Sequence, residues 1–115
     1  MDTILLVDDE ERVLVSQKEL LALHGFRRIM LARSCTEARR ILSANEISMA
    51  VLDLALHEES GLELLAWIKT ECPDTVVLVV TGASDISLAV QCMRPGAYDF
   101  LVKGADAGRL PSAVS

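Results

Sequence analysis

The sequence predicts a doubly wound α/β domain, a parallel sheet with helices packed on both faces. Three observations point there. Strand and helix signals alternate along the whole chain, with no internal repeat and no linker-like stretch. The strand candidates are short and almost continuously apolar, as strands covered on both sides must be. Four of them, Ile4 to Val7, Met49 to Leu52, Val76 to Val80 and Phe100 to Val102, run straight into Asp8 and Asp9, Asp53, Thr81 and Lys103. In an open parallel sheet the carboxyl ends of the strands share one edge, and ligands bind there. Three carboxylates, a hydroxyl and an amine are therefore expected to meet at one place.

The elements follow in order. After the first strand, Val13, Leu14, Leu20 and Leu21 recur at helical spacing, and Gly25 is placed to end that helix in a left-handed conformation. A second strand is expected near Arg27 to Ala32. Ser34 and Glu37 make a capping box, with Ala38, Ile41 and Leu42 as the inner face of the helix that follows, up to Asn45. The third strand ends at Asp53. Ser60 and Glu63 form a second capping-box pattern, opening a helix whose inner face is Leu64, Leu65 and Ile68 and which Pro73 follows. Val76 to Val80, β-branched or apolar at every position, reads as a central strand. Ile86, Ala89, Val90 and Met93 fall at i, i+3, i+4 and i+7 of a fourth helix, which leaves Leu88 and Cys92 off the inner stripe; Pro95 and Gly96 stop it. Tyr98 to Val102 is the fifth strand. Beyond Lys103 only about two turns of weak helix former remain, with Pro111 among them, so the last helix should be short. The chain is expected to be a single domain over residues 1–115, an N-terminal piece of a longer protein or else a short form with a poorly ordered end.

Bulk properties exclude several functions. A chain of 115 residues can bury about two-thirds of its unfolded surface without a disulfide or metal staple. Its net charge of −6 repels nucleic acid, and no cluster of Lys and Arg offsets it. No apolar run approaches the roughly 18 residues that indicate a membrane span. Cys35, Cys72 and Cys92 have no metal or redox spacing and read as small apolar fillers, which fits a reduced, cytoplasmic setting.

The strand ends have a chemistry of their own. Two carboxylates 4 Å apart repel by roughly 4 kcal/mol at an effective dielectric near 20. Asp8, Asp9 and Asp53 together therefore call for a cation. Mg²⁺ suits them, since it takes one or two carboxylates, keeps several waters and leaves room for phosphate oxygens. With Lys103 beside it Asp53 becomes a candidate nucleophile, and Thr81 offers a hydroxyl to a phosphoryl oxygen. The plainer reading of the lone His57, close after Asp53, is an exposed loop residue; His24 at a helix end is plainer still. Trp67 reads as a packed flank of the third helix.

Asp-Asp after the first strand, Asp53 after the third, Thr81-Gly82 after the fourth and Lys103 after the fifth resemble the receiver domain of two-component response regulators. So do Ile-Leu-Leu-Val-Asp-Asp-Glu, Val-Leu-Asp-Leu and Gly-Ala-Tyr-Asp-Phe-Leu-Val-Lys, and the likeness, greatest to receivers of nitrogen-regulator-type activators, runs from Thr3 to Lys103. It implies a flavodoxin-like fold with strand order 2-1-3-4-5. It also implies that Asp53 accepts a phosphoryl group from a sensor histidine kinase or phosphotransfer protein. Asp9, Asp53 and the backbone carbonyl of Ala55 would ligate Mg²⁺, with Asp8 acting mainly through water. Lys103 would pair with Asp53 before transfer and with the phosphoryl group after it. Thr81 would then move toward the phosphate and Phe100 into the vacated space, unless Phe100 is plain core. The face of helix 4, strand 5 and helix 5 would control an output domain, a partner or a homodimer. No membrane and no direct nucleic-acid contact is implied, and the resemblance implies no enzyme beyond a phosphoacceptor that catalyses its own phosphoryl transfer and slow dephosphorylation.

Departures from the family matter too. Gly104 stands where a Pro usually follows the Lys through a cis bond; because a cis bond to a non-proline residue costs about 2.5 to 4 kcal/mol, a trans Lys103-Gly104 bond is expected. His57 replaces a second usual Pro, which loosens the loop from Leu54 to Ser60, where Glu58 and Glu59 add charge. Ala55 and Ala83 are small, which implies ready access for water and a short-lived phosphoryl group. Two rivals remain. A haloacid-dehalogenase-like phosphohydrolase would want Asp-x-Asp-x-Thr after its first strand, and Asp8-Asp9-Glu10-Glu11 does not supply it. A receiver-like interaction module that is never phosphorylated is the other.

Overall fold

The structure, a computed structural model, describes residues 2–54, 61–82, 86–94, 96–103 and 106–114, with the backbone alone at Leu88 and Ala107. Expectations for Ala55, His57, Glu58, Glu59, Ser60, Ala83, Pro95, Gly104 and the Leu88 side chain lie outside the described residues.

Five parallel strands form one sheet in the order β2-β1-β3-β4-β5. They are β1 (Thr3–Val7), β2 (Arg28–Ala32), β3 (Met49–Asp53), β4 (Val76–Thr81) and β5 (Asp99–Val102). The helices are α1 (Glu11–Leu23), α2 (Cys35–Ala44), α3 (Gly61–Glu71), α4 (Ile86–Met93) and α5 (Leu110–Val114), the last preceded by a 3₁₀ turn at Ala107–Arg109. This is the expected flavodoxin-like arrangement, with a last helix of one and a half turns.

Alternation along each strand divides the core in two. Ile4, Leu6, Val51, Leu78, Val80 and Leu101 pack with Leu14 and Leu21 of α1 and Leu110 of α5. Leu5, Val7, Leu52, Val77 and Val79 pack on the other face with residues of α2, α3 and α4. Because both faces are covered, β4 is apolar throughout; it lies inside the sheet between β3 and β5. Gly25 ends α1 at φ +93°, the left-handed conformation its position predicted. At α2 the Glu37 amide donates to Ser34 Oγ, while Glu37 Oε1 accepts from Arg33 rather than from Ser34 itself. Pro111 sits in the first turn of α5, where a missing N–H costs nothing. Trp67 flanks the core as expected.

α4 is turned differently from its expected phase. Ala89 is buried as expected, but so is Cys92, whereas Ile86, Val90 and Met93 are exposed, Val90 by 56%. The helix is apolar on nearly all sides, with only Ser87 and Gln91 polar among its eight residues, so periodicity alone does not choose its inner face. Packing on β4 and β5 chooses it: small side chains let the helix sit close to the sheet. Tyr98 also falls outside β5 and is 64% exposed, although its amide still donates to the Val77 carbonyl.

Candidate functional site

Register brings the strand ends level. Val7 pairs with Leu52, so Asp8 stands beside Asp53; Asp53 pairs with Val80, and Thr81 with Val102. Lys103 prolongs β5 by one rung, its amide donating to the Thr81 carbonyl at 2.7 Å. Asp8, Asp53, Thr81 and Lys103 thus share the edge that the strand order assigns to ligands.

The charges meet at the Lys103 ammonium. Its Nζ lies 3.0 Å from Asp53 Oδ2, as a hydrogen bond, and 3.3 Å from Asp8 Oδ2, as an ion pair without hydrogen-bond geometry. The two carboxylates are nearly out of solvent, at 1% and 3% exposure, while the Lys103 side chain is 32% exposed. Asp8 Oδ1 accepts from the Glu10 amide at 2.9 Å, while among the described residues buried Oδ2 has the Lys103 charge nearby but no donor in hydrogen-bond geometry. Burial, joined by the charge of Asp53, pushes the Asp8 carboxyl up to about 6 against the pull of the Glu10 amide and Lys103. Burial pulls the Lys103 ammonium down, yet its hydrogen bond to Asp53 and the charges of Asp53 and Asp8 outweigh that and hold it above the ordinary lysine range.

Those carboxylates suit a hard cation. Asp8, Asp9 and Glu10 each bring an oxygen within 4.8 Å of the others, and buried Asp8 Oδ2, which shares the single Lys103 charge with Asp53 and lacks a donor in hydrogen-bond geometry, suits a further positive ligand. Glu10 is an addition that sequence reasoning missed; its amide folds back onto Asp8, a local turn with no composition signal. The expected Ala55 carbonyl lies outside the described residues. Thr81 is fully buried and its hydroxyl donates to the Gly82 carbonyl at 3.3 Å. Phe100 is half-buried and packs on the α2–α4 side of the core.

Two further residues escaped notice. Arg33, just past β2, sends Nη2 to within 3.5 Å of the Asp9 carbonyl and Nη1 to 4.0 Å from Glu11, placing a cation beside the acidic loop. Gly61 opens α3 against the end of β3, where a Cβ would meet the Asp53 carbonyl oxygen and Leu54 Cα at 2.8 Å. Only a glycine lets the helix approach that strand end so closely.

The model of the family described as response regulator receiver domain matches residues 4–115. The chain belongs to that family. The receiver is 35% identical over 115 residues to the response regulator protein PilR of Pseudomonas aeruginosa, an alignment covering 96% of this chain and 25% of PilR. It thus spans about a quarter of that relative's length. Among solved structures it resembles a response regulator receiver domain protein from Clostridium thermocellum, with TM-score 0.90 and 33% identity, over 99% of this chain and 91% of the other. It also resembles a Burkholderia pseudomallei response regulator with a phosphorylated aspartic acid, calcium ion and citrate. That match has TM-score 0.88 and 30% identity over 100% of this chain and 67% of the other. The receiver's strand order is the one its sequence resemblance implied. Among the described residues, no helix is long and apolar enough to cross a membrane.

Proposed function

We propose that Asp53 is a phosphoacceptor whose modification by a sensor histidine kinase or phosphotransfer protein switches this receiver in the cytoplasm. The observation that carries this is the Lys103 ammonium held between Asp53 and Asp8 at the carboxyl edge of the sheet. An Asp53 carboxylate oxygen attacks the phosphorus of a phosphohistidine, a P–O bond forms, the P–N bond breaks, and the imidazole leaves with the electron pair. Little covalent work falls to the protein, so its contribution is positioning and charge neutralisation. Asp8, Asp9 and Asp53 fit Mg²⁺, with Glu10 close by. When bound, the ion would neutralise charge on the carboxylates and on the phosphoryl oxygens. Lys103 passes from Asp53 to the new phosphoryl group, and the Thr81 hydroxyl exchanges the Gly82 carbonyl for a phosphoryl oxygen.

Phosphorylation adds roughly 1.5 to 2 negative charges and three acceptor oxygens. Thr81 and the half-buried Phe100 carry that change to the face of α4 and β5. There the exposed Ile86, Val90, Met93 and Tyr98 offer an apolar surface to an output domain or a second copy. The phosphorylated aspartic acid and calcium ion of the Burkholderia pseudomallei relative support the same chemistry here.

Incubation with acetyl phosphate and Mg²⁺, read by intact mass, tests the proposal. One phosphoryl group should appear on the wild type and none on Asp53→Asn. A folded wild type that gains no mass would instead favour an interaction module that works unphosphorylated.

A further inference from the structure

We propose that Asp106 is the positioning residue for Lys103: by engaging both backbone polar groups of Val102, it fixes the point from which Lys103 reaches Asp53. β5 pairs with β4 alone, so alternate amides of β5 face an open edge. Two of them are closed by aspartates. The Phe100 amide donates to Asp99 Oδ1 at 2.8 Å, and the Val102 amide to Asp106 Oδ2 at 3.0 Å. Asp106 then returns its own amide to the Val102 carbonyl at 2.8 Å. Its second oxygen, Oδ1, takes Arg109 Nη1 at 3.3 Å, and the Arg109 amide donates to the Asp106 carbonyl at 2.9 Å. Asp106 is thereby tied to the 3₁₀ turn on one side and to the strand end on the other.

Lys103 sits next to the residue so held, and its own amide is spent on Thr81. A lysine side chain is a flexible four-carbon stem, so where its ammonium rests depends on how firmly its backbone is placed. Asp106 touches neither Asp53 nor the ammonium among the described contacts, and acts through the chain between. Given that Lys103 takes part in phosphoryl transfer as proposed above, loosening that chain should slow transfer without removing any reacting group. A misplacement of about 1 Å can cost up to roughly a hundredfold in rate.

The test compares Asp106→Ala, Asp106→Asn and Asn45→Ala in the full chain. Asn45 Nδ2 donates to the Ile41 carbonyl at the end of α2, at the opposite edge of the sheet just before β3 begins, and controls for loss of a local hydrogen bond to backbone. The first readout is the ¹⁵N ammonium resonance of Lys103 and its shift when Asp53 is changed to Asn. Wild type, Asp106→Asn and Asn45→Ala should all show the shift, because the amide oxygen at position 106 still accepts from Val102; Asp106→Ala should lose it. The second is the initial rate of labelling by acetyl phosphate, which should fall roughly tenfold or more in Asp106→Ala alone. The third needs no variant: the wild-type Val102 amide should be protected from hydrogen exchange despite lying on the open edge. The proposal is overturned by a Lys103 response that survives in Asp106→Ala, by an Asp106→Asn variant that behaves like the alanine, or by fast exchange at Val102. Absence of labelling in the wild type would defeat the phosphoacceptor function, while the resonance and exchange data would still decide the role of Asp106.

Discussion

Lys103 Nζ donates a hydrogen bond to Asp53 Oδ2 at 3.0 Å, joining the ends of β5 and β3 across 50 positions of sequence. With Asp8 Oδ2 3.3 Å from the same nitrogen, one ammonium is the main counter-charge to two buried carboxylates. Replacing Lys103 by Ala leaves Asp8 and Asp53 to repel each other. The expected loss is about 1–3 kcal/mol, below the 3–5 of a fully buried pair because the lysine is one-third exposed. Urea unfolding in EDTA measures it, and Mg²⁺ should recover part of it, since a divalent ion replaces the missing charge.

The raised Asp8 carboxyl implies a pH dependence with a definite sign. Between its ordinary value of 3.8 and about 6 the folded chain holds this proton and the unfolded chain has released it. Asp8 therefore favours folding at low pH, and that contribution is lost as pH rises through about 6. Asp106, held below the ordinary range chiefly by the Val102 amide, acts the other way: its contribution is present above 3.8 and lost as pH falls below that. Thermal melts from pH 4.5 to 7.5 in EDTA should show stability drifting down because of Asp8, and Asp8→Asn should flatten the drift. The gain from Mg²⁺ should grow over the same interval, because the ion competes with the proton for Asp8.

Gly61→Ala should damage the site from behind. Its Cβ would press on backbone atoms of Asp53 and Leu54, which cannot swing aside as a side-chain end can. A loss of about 1–3 kcal/mol is expected from overpacking, together with slower labelling of Asp53. Chemical denaturation and acetyl phosphate kinetics on the same preparation would show whether the two effects travel together.

The orientation of α4 is open to a direct check. Val90→Ser, on the exposed side, should change stability by no more than about 0.5 kcal/mol. Cys92→Leu, forced between α4 and the sheet, should cost about 1–3 kcal/mol. The opposite order of effects in denaturant midpoints would restore the phase inferred from periodicity.

Much of the site was legible because its residues directly follow apolar runs. A strand that ends in Asp, Thr or Lys announces both its direction and what it carries to the edge. The parts that were not legible depend on contacts between distant segments. Gly61 matters only because α3 starts against the backbone of β3, and Arg33 only because β2 ends beside the Asp9 loop. Asp106 acquires meaning from the open edge of β5, and the face of α4 is settled by what it packs on, since its own pattern is apolar nearly all round.

By itself the sequence determined the α/β class, the residues delivered to the carboxyl edge, and the left-handed stop at Gly25. These follow from local pattern and from the chain direction that parallel strands share. Tertiary structure alone distinguished the adjacent carboxylates, burying Asp8 with one oxygen lacking a donor while leaving Asp9 half-exposed. It also set Lys103 between Asp8 and Asp53. The reason is physical: burial and ångström-scale charge separations arise from the register and packing of strands far apart in sequence, and no local pattern encodes them.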